Sequence, residues 1–434
     1  MEIIVKIVKK KNILLLYDNR DLDRQVLRPV DYRTFEEEWI RQNGGNSGNK
    51  LYNTAVEQYL TKEDIAYSYY TGEEKPEEIN DKYDMAIFTT ANIFNANPVV
   101  TRQLGEFADQ IERFRIPVYI LGCGLQCGSY DEIEDLAGAI REPAQRFLKA
   151  IYRTGGELAL RGYATKELLD KIMPNSAVVT GCPSLYQRGS SLQISNEKAA
   201  EEEFKPAVNG NLKYLKKIGM LSVFDDYPES IYMDQDEFAQ ILYFHSRNKD
   251  DTVPELIRKR TLTGVKLLAQ DRVKLFYDIP VWLGSFAKEG INFSCGSRIH
   301  GNIAATLSGV PAKVIYRDAR TRELAEFFEL PHAGSWKEGQ TMYEAYQEAD
   351  YSAFNRGFAD KFRAFEQFMM QHGISHDLED RSLFETARKA YEWNEPEMIG
   401  QYKIDALKRS WKKHGQFYCG YDKMIDGIRK MMGR

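Results

Sequence analysis

Residues 294–318, SCGSRIHGNIAATLSGVPAKVIYRD, set a guanidinium, an imidazole and a glycine together at what reads as the start of a helix. The apolar run 291–295 has strand character. Gly296 then turns the chain, and Ser297 belongs to a residue type favoured at helix N-caps. Ile299, Ile303, Ala304 and Leu307 recur at helical spacing, so the first turn presents Arg298, His300 and Gly301. Free backbone N–H groups and the positive end of the helix dipole favour an anion there. Arg298 adds a forked cation suited to carboxylate or phosphate. His300 can give or take a proton near neutral pH, and Gly301 lets a ligand approach the backbone. A bare Ser-Arg-x-His-Gly string arises easily by chance, and the plain alternative for His300 is a histidine capping backbone groups inside the fold.

Two further arginines stand where strands give way to helices. Arg161 follows the strand-like run 157–160, at the end of a sheet where a cleft ligand lies; an ion pair with Glu157 is its alternative. Arg320 follows the strand-like run 312–316, so it can converge with Arg298 from an adjacent parallel segment; a surface salt bridge with Asp318 or Glu323 is its alternative. Gly44, Gly45 and Gly48 precede a helix over 49–60 and suit a phosphate or a sugar, or only a flexible turn. They form neither a Walker A loop nor a Gly-x-Gly-x-x-Gly fingerprint. Cys123 and Cys127 flank a Gly-rich turn and read as buried thiols. His372 and His376 have ligand spacing, but Gly373 argues against a helix there, so no metal site is expected.

The elements that position these residues alternate short apolar runs with amphipathic segments, the pattern of an α/β protein. Strands are expected at 12–17, 84–90, 117–122, 157–160 and 177–180, and helices at 49–60, 99–114 and 131–151, the last mostly helical with Pro143 as a candidate break. Residues 1–195 make a first Rossmann-like half. A charged segment, 196–217, reads as the interdomain connection. Strands at 218–224, 273–277, 291–295 and 312–316 make a second Rossmann-like half over 218–334, and 335–434 reads as a helical extension. Phe354, Phe358, Phe362, Phe365 and Met369 recur every three or four residues, as a core-facing stripe does. The architecture expected is two Rossmann-like domains facing a cleft, GT-B-like, with a helical C-terminal extension.

Composition narrows the function classes. The 434 residues carry a net charge of −5, which argues against nucleic acid as the main partner. Residues 401–434 depart from this balance with nine Lys/Arg against three Asp, either a solvated helix face or a contact with anionic lipid. Five scattered cysteines with no Cys-x-x-Cys pair suit a reducing compartment. The charged first eleven residues are no secretory signal, and no run of about 20 apolar residues offers a membrane span. A soluble cytoplasmic protein is expected.

The ordered string Ser297-Arg298-Ile299-His300-Gly301, Ala304-Ala305, Gly309-Val310-Pro311 and Asp318-Ala319-Arg320 resembles the C-terminal signature of polysaccharide pyruvyl transferases. Upstream, Asn46-Ser47-Gly48-Asn49 is similar to the family's Asn-x-Gly-Asp element, and Leu121-Gly122-Cys123-Gly124 to its Gly-x-Gly strand end. Leu158-Ala159-Leu160-Arg161 is similar to its strand–Arg–helix element, and Gly181-Cys182-Pro183-Ser184 stands where Gly-Asp-Pro is usual. The resemblance covers roughly residues 40–330. Asn49 and Cys182 replace acids, and Arg320 stands where Lys is usual. The resemblance implies phosphoenolpyruvate as donor and a sugar diol or lipid-linked oligosaccharide as acceptor. It implies His300 as the catalytic residue, Arg161, Ser297, Arg298, Gly301 and Arg320 on the donor, and Gly45, Asn46 and Asn49 on the acceptor. The first half becomes the acceptor side and the second the donor side, with no cofactor and no metal. A nucleotide-sugar glycosyltransferase of the same architecture, or a non-catalytic polysaccharide-binding protein, are the alternatives.

Overall fold

The computed structural model describes residues 10–17, 46–62, 64–235, 272–275 and 279–376, with Leu267 and Gln270. Gly44, Gly45 and the basic segment 401–434 lie outside the described residues.

The first half contains β1 (Lys11–Leu15), β2 (Ile65–Tyr69), β3 (Met85–Thr89), β4 (Phe94–Asn95), β5 (Val118–Cys123), β6 (Leu125–Gln126), β7 (Leu158–Leu160) and β8 (Val178–Val179). Six of these form a sheet in the order β2-β1-β3-β5-β7-β8, and β4 pairs with β6. Every pairing is parallel. Helices cover both faces of such a sheet, which is why β5 reads as an unbroken apolar run, all of it buried. The helices are α1 (Lys50–Tyr59), α2 (Pro76–Lys82), α3 (Pro98–Ile111), α4 (Ile133–Arg153) and α5 (Tyr163–Ile172). Pro143 does not break α4, which continues for 21 residues. Ile140, Ala144, Phe147 and Leu148 bury their side chains around the proline, and that packing outweighs one lost backbone hydrogen bond.

The second half differs from the expectation at its start. The segment 196–217 is not a plain connection: it contains β9 (Pro206–Asn209) and α6 (Leu212–Lys217). Residues 218–224 are not a strand. They form a turn at Gly219, a 3₁₀ turn (Met220–Ser222) and the start of α7 (Val223–Asp226). Here the apolar side chains Met220, Val223 and Phe224 pack at helical spacing against one core. Beyond them come β10 (Ile231–Asp234), β11 (Val273–Leu275), α8 (Ile279–Lys288), β12 (Phe293–Gly296), α9 (Ile299–Leu307), β13 (Ala312–Ile315), α10 (Ala319–Phe328) and β14 (His332–Ala333). The sheet runs β11-β10-β9-β12-β13-β14, so the strand hidden in the charged segment is one of its two central strands.

Two helices, α11 (Met342–Glu348) and α12 (Ser352–Gln371), are the described part of the C-terminal extension. The phenylalanine stripe of α12 is core, as expected: Phe354, Phe358, Phe362, Phe365 and Met369 are all buried. Its partners lie in both halves: Phe358 packs on Phe328 of α10 with ring centroids 6.5 Å apart, and Lys361 pairs with Glu329. Tyr186 packs on Phe358, Phe362 and Phe365 with ring centroids 5.9, 5.7 and 5.0 Å apart. The side chain of Asn355 exchanges two hydrogen bonds with the backbone of Ile194, at 2.9 and 2.8 Å. Each buried ring is worth roughly 1.5–3 kcal/mol, so α12 fixes the two halves against each other. His372, just past its end, bonds Glu157 at 2.9 Å, and His376 pairs with Glu366 at 3.2 Å. Among the described residues no helix is long and apolar enough to cross a membrane.

Candidate functional site

In open α/β sheets ligands bind beyond the carboxyl ends of the strands where strand order reverses. That point lies between β9 and β12 in the second sheet and between β1 and β3 in the first. A cavity of about 170 Å³ joins the two, lined by Asn46, Asn49, Asn92 and Arg161 from one half and Gln235, Ser297, Arg298, His300 and Arg320 from the other.

The start of α9 is held by residues the sequence did not single out. Arg298, not Ser297, is the N-cap, with extended backbone (φ −93°, ψ 105°) and no side-chain cap of its own kind. Asn209, at the end of β9, supplies the acceptor instead: its Oδ1 takes the Arg298 N–H at 2.9 Å. The other end of the same carboxamide donates to Ser294 Oγ at 3.1 Å and to Asn302 Oδ1 at 2.8 Å. Asn302 in turn donates to the Gly296 carbonyl at 3.0 Å. A cap contributed by a neighbouring strand leaves the Arg298 side chain to face the cavity. Gly301 does not admit a ligand. A Cβ there would lie 2.7 Å from Gln235 Nε2 and 2.8 Å from Asn209 Cγ, so this glycine makes room for two side chains.

Arg161 reaches the cavity because of two glycines. At Gly122 (φ +69°) β5 shifts register against β7, and the carbonyl of Gly122 accepts Arg161 Nε at 3.1 Å. At Gly124 a Cβ would stand 2.4 Å from Arg161 Cδ. These are the two glycines of the Leu-Gly-Cys-Gly element. Arg161 is 1% exposed, and its Nη2 has no hydrogen-bond partner among the described residues. It is not paired with Glu157, which bonds His372 instead. Arg320 does meet Asp318, at 3.3 Å, but inside the cleft rather than on the surface, and its Nε has no partner among the described residues. Burial lowers the pKa of Arg298, and nearby Arg320 lowers it further.

His300 sits among these cations, 6% exposed, with its ring 5.5 Å from that of Tyr52. Burial, then Arg161, Arg320 and Arg298, push its pKa down to about 3. Burial and three guanidiniums therefore favour the neutral imidazole. Its Nε2 has no hydrogen-bond partner among the described residues. The arrangement suits a small ligand carrying two negative charges, whose arrival would relieve that field and let the imidazole take a proton.

The family model for polysaccharide pyruvyl transferases matches residues 46–318, a span that includes every one of these cavity residues except Arg320. The chain belongs to the polysaccharide pyruvyl transferase family. No curated protein matches it in sequence. Among solved structures, it resembles a putative UDP-N-acetylglucosamine 2-epimerase from Listeria monocytogenes at 11% identity and TM-score 0.39, covering 86% of this chain and 99% of that one. It also resembles the S. aureus MnaA–UDP co-structure (13%, TM-score 0.36, covering 84% and 97%). A third is the glycosyltransferase SnogD from Streptomyces nogalater (13%, TM-score 0.30, covering 89% and 100%).

Of the three places where this pyruvyl transferase family member departs from the pattern of its family, Arg320 lines the cavity and the structure separates the other two. Cys182 is buried in the core, where Ser184 Oγ donates to its Sγ at 3.1 Å, and does not line the cavity. Asn49 does line it, beside Asn46, whose Oδ1 accepts the Gly48 N–H at 2.8 Å. Gln235, at the end of β10, is a cavity residue for which the sequence offered no motif.

Proposed function

We propose that this protein transfers the pyruvyl group of phosphoenolpyruvate to a sugar diol, forming a cyclic ketal. The observation that supports this most is a buried neutral histidine ringed by Arg161, Arg298 and Arg320 at the junction of the two sheets. Phosphoenolpyruvate brings a carboxylate and a phosphate, and a dianion leaving water needs fixed cations around it. Arg298, with the start of α9 and Ser297 behind it, and Arg320 take one charge; Arg161 takes the other from the opposite half.

The chemistry begins with protonation of the methylene carbon, which leaves a cation at C2. One sugar hydroxyl adds there and returns a proton to His300, phosphate departs with the electron pair of its bond to C2, and a second hydroxyl closes the ketal, its proton leaving with the phosphate. Phosphoenolpyruvate and a diol thus become ketal and inorganic phosphate, a balance that needs no redox cofactor or metal. His300 is the proton donor: the bound dianion offsets the arginines and raises the imidazole pKa where the proton is used. Asn46 and Asn49 face the acceptor from the first half. A lipid-linked acceptor would bring the basic segment 401–434, with Trp411 among its lysines, to the cytoplasmic membrane surface.

Incubation with phosphoenolpyruvate and a panel of glycosides, followed by mass analysis for ketal products, tests this reading. Phosphate release that requires the sugar is expected. A melting temperature raised by nucleotide sugars and not by phosphoenolpyruvate would replace it with glycosyl transfer. Salt-insensitive or absent sedimentation with anionic vesicles would remove the membrane contact.

A further inference from the structure

Gln235 is 2% exposed, directly follows β10 and lines the cavity, yet neither its Oε1 nor its Nε2 has a hydrogen-bond partner among the described residues. Its backbone is anchored: the carbonyl accepts Ser47 N–H at 3.0 Å and Ser47 Oγ at 3.2 Å from the other half. Its side chain lies between two glycines. A Cβ on Gly48 would stand 2.3 Å from Gln235 Oε1 and 2.9 Å from His300 Cβ, and one on Gly301 would stand 2.7 Å from Gln235 Nε2. The carboxamide therefore spans the junction of the two halves beside the histidine, in a space kept open on both sides by residues without side chains.

An amide buried with both ends unpartnered among the described residues is costly unless a ligand or an ordered water satisfies it. The ligand must bring a hydrogen to Oε1 and a lone pair to Nε2, whichever way the amide is turned. A carboxylate or the dianion of a phosphate ester offers only lone pairs and leaves Oε1 unsatisfied. A hydroxyl offers both. We propose that Gln235 is the hydroxyl-reading residue of an acceptor subsite, separate from the arginine-lined donor subsite, and that its ligand class is a neutral polyol such as a hexose diol. This rests on pyruvyl transfer only for the identity of the acceptor, because the demand for a hydrogen-bearing ligand comes from the amide.

The test is Gln235→Met, which keeps the length of the side chain and removes both polar atoms. Three measurements are made: melting temperature, phosphoenolpyruvate affinity by calorimetry, and saturation-transfer NMR to the methyl glycosides of glucose, galactose and mannose at millimolar concentration. The expected result is an unchanged or higher melting temperature, since no hydrogen-bond partner among the described residues is lost. Phosphoenolpyruvate affinity should stay within about twofold, while at least one glycoside signal seen with the wild type falls about tenfold or disappears. Gln235→Asn, which keeps the amide but shortens its reach, should show the same split. A tenfold loss of phosphoenolpyruvate affinity would make Gln235 a donor residue and overturn the proposal. A large drop in melting temperature in both variants would make it structural. Unchanged glycoside signals, or none with the wild type, also end it. A wild type that binds glycosides but not phosphoenolpyruvate would remove the pyruvyl-transfer reading and leave the hydroxyl subsite standing.

Discussion

Glu323 closes the first turn of a helix that belongs to the other half of the molecule. From α10 its carboxyl accepts the Thr165 backbone N–H at 2.9 Å and the Thr165 hydroxyl at 2.7 Å. That hydroxyl in turn accepts the Leu125 N–H at 2.9 Å. Gly162, the N-cap of α5, lacks a side chain to do this, and a Cβ there would lie 2.9 Å from Glu323 Oε2. One contact thus ties the helix that follows Arg161 to the helix that carries Arg320.

Burial raises the Glu323 pKa to about 7, against the lowering effect of Thr165 and Arg161. A carboxyl raised above its unfolded value of 4.5 contributes stability that is complete below that pH and is lost as pH rises through about 7. Glu323→Gln loses one of the two Thr165 bonds, at roughly 1–2 kcal/mol. Its melting temperature should be lower than wild type at pH 5, with the gap narrowing by pH 8.5. A gap that stays constant with pH would show that Glu323 does not titrate in this window.

The folded-state pKa of His300 is depressed from 6.5 to about 3. Its contribution to stability is present above pH 6.5 and lost as pH falls through about 3, because the unfolded chain takes the proton first. His300→Gln should therefore be less acid-sensitive than wild type in thermal melts between pH 4 and 7. The wild type should take up a proton on binding phosphoenolpyruvate, seen as a dependence of the calorimetric enthalpy on buffer ionisation heat. The Gln variant should show none. Turnover should fall by about a hundredfold or more in both His300→Gln and His300→Ala if the imidazole is the acid.

Arg161→Lys and Arg298→Ala probe the donor from opposite halves. A charge-assisted hydrogen bond is worth about 1.5–3 kcal/mol, so each should weaken phosphoenolpyruvate binding by roughly ten- to a hundredfold. Circular dichroism should show both folded. Wild-type affinity in either removes that arginine from the donor site.

Asn209→Ala leaves the Arg298 N–H, Ser294 Oγ and Asn302 Oδ1 without the partner that now joins them. A loss of roughly 2–3 kcal/mol in stability is expected for a buried network broken this way. Phosphoenolpyruvate affinity should fall as well, since the Arg298 backbone is no longer held. Denaturant melts and calorimetry together check both effects.

Much of the site was legible in local pattern. The apolar runs around β3, β5, β12 and β13 announced buried parallel strands, and helical spacing after Gly296 placed Arg298 and His300 in a first turn. Those signals are local, because side-chain spacing along a few residues fixes the phase of a helix and the burial of a strand. The strands β9 and β10 escaped detection because each is four residues long and ends in Asn209 or Asp234, without an apolar run to mark it. Once β9 was missed, so was the residue that caps α9.

Other properties have no local signal at all. Arg161 and His300 line one cavity because contacts between the halves, among them Thr165 with Glu323 and Ser47 with Gln235, bring the two sheets together. Ser297 has the right chemistry for a cap, yet Asn209 from a neighbouring strand takes that place. The depressed pKa of His300, and a Gln235 carboxamide with no partner among the described residues, arise from exclusion of water and from charges brought near in space. Residue type and spacing supply the groups; the summed packing of the core sets the distances and the burial on which their electrostatics depend.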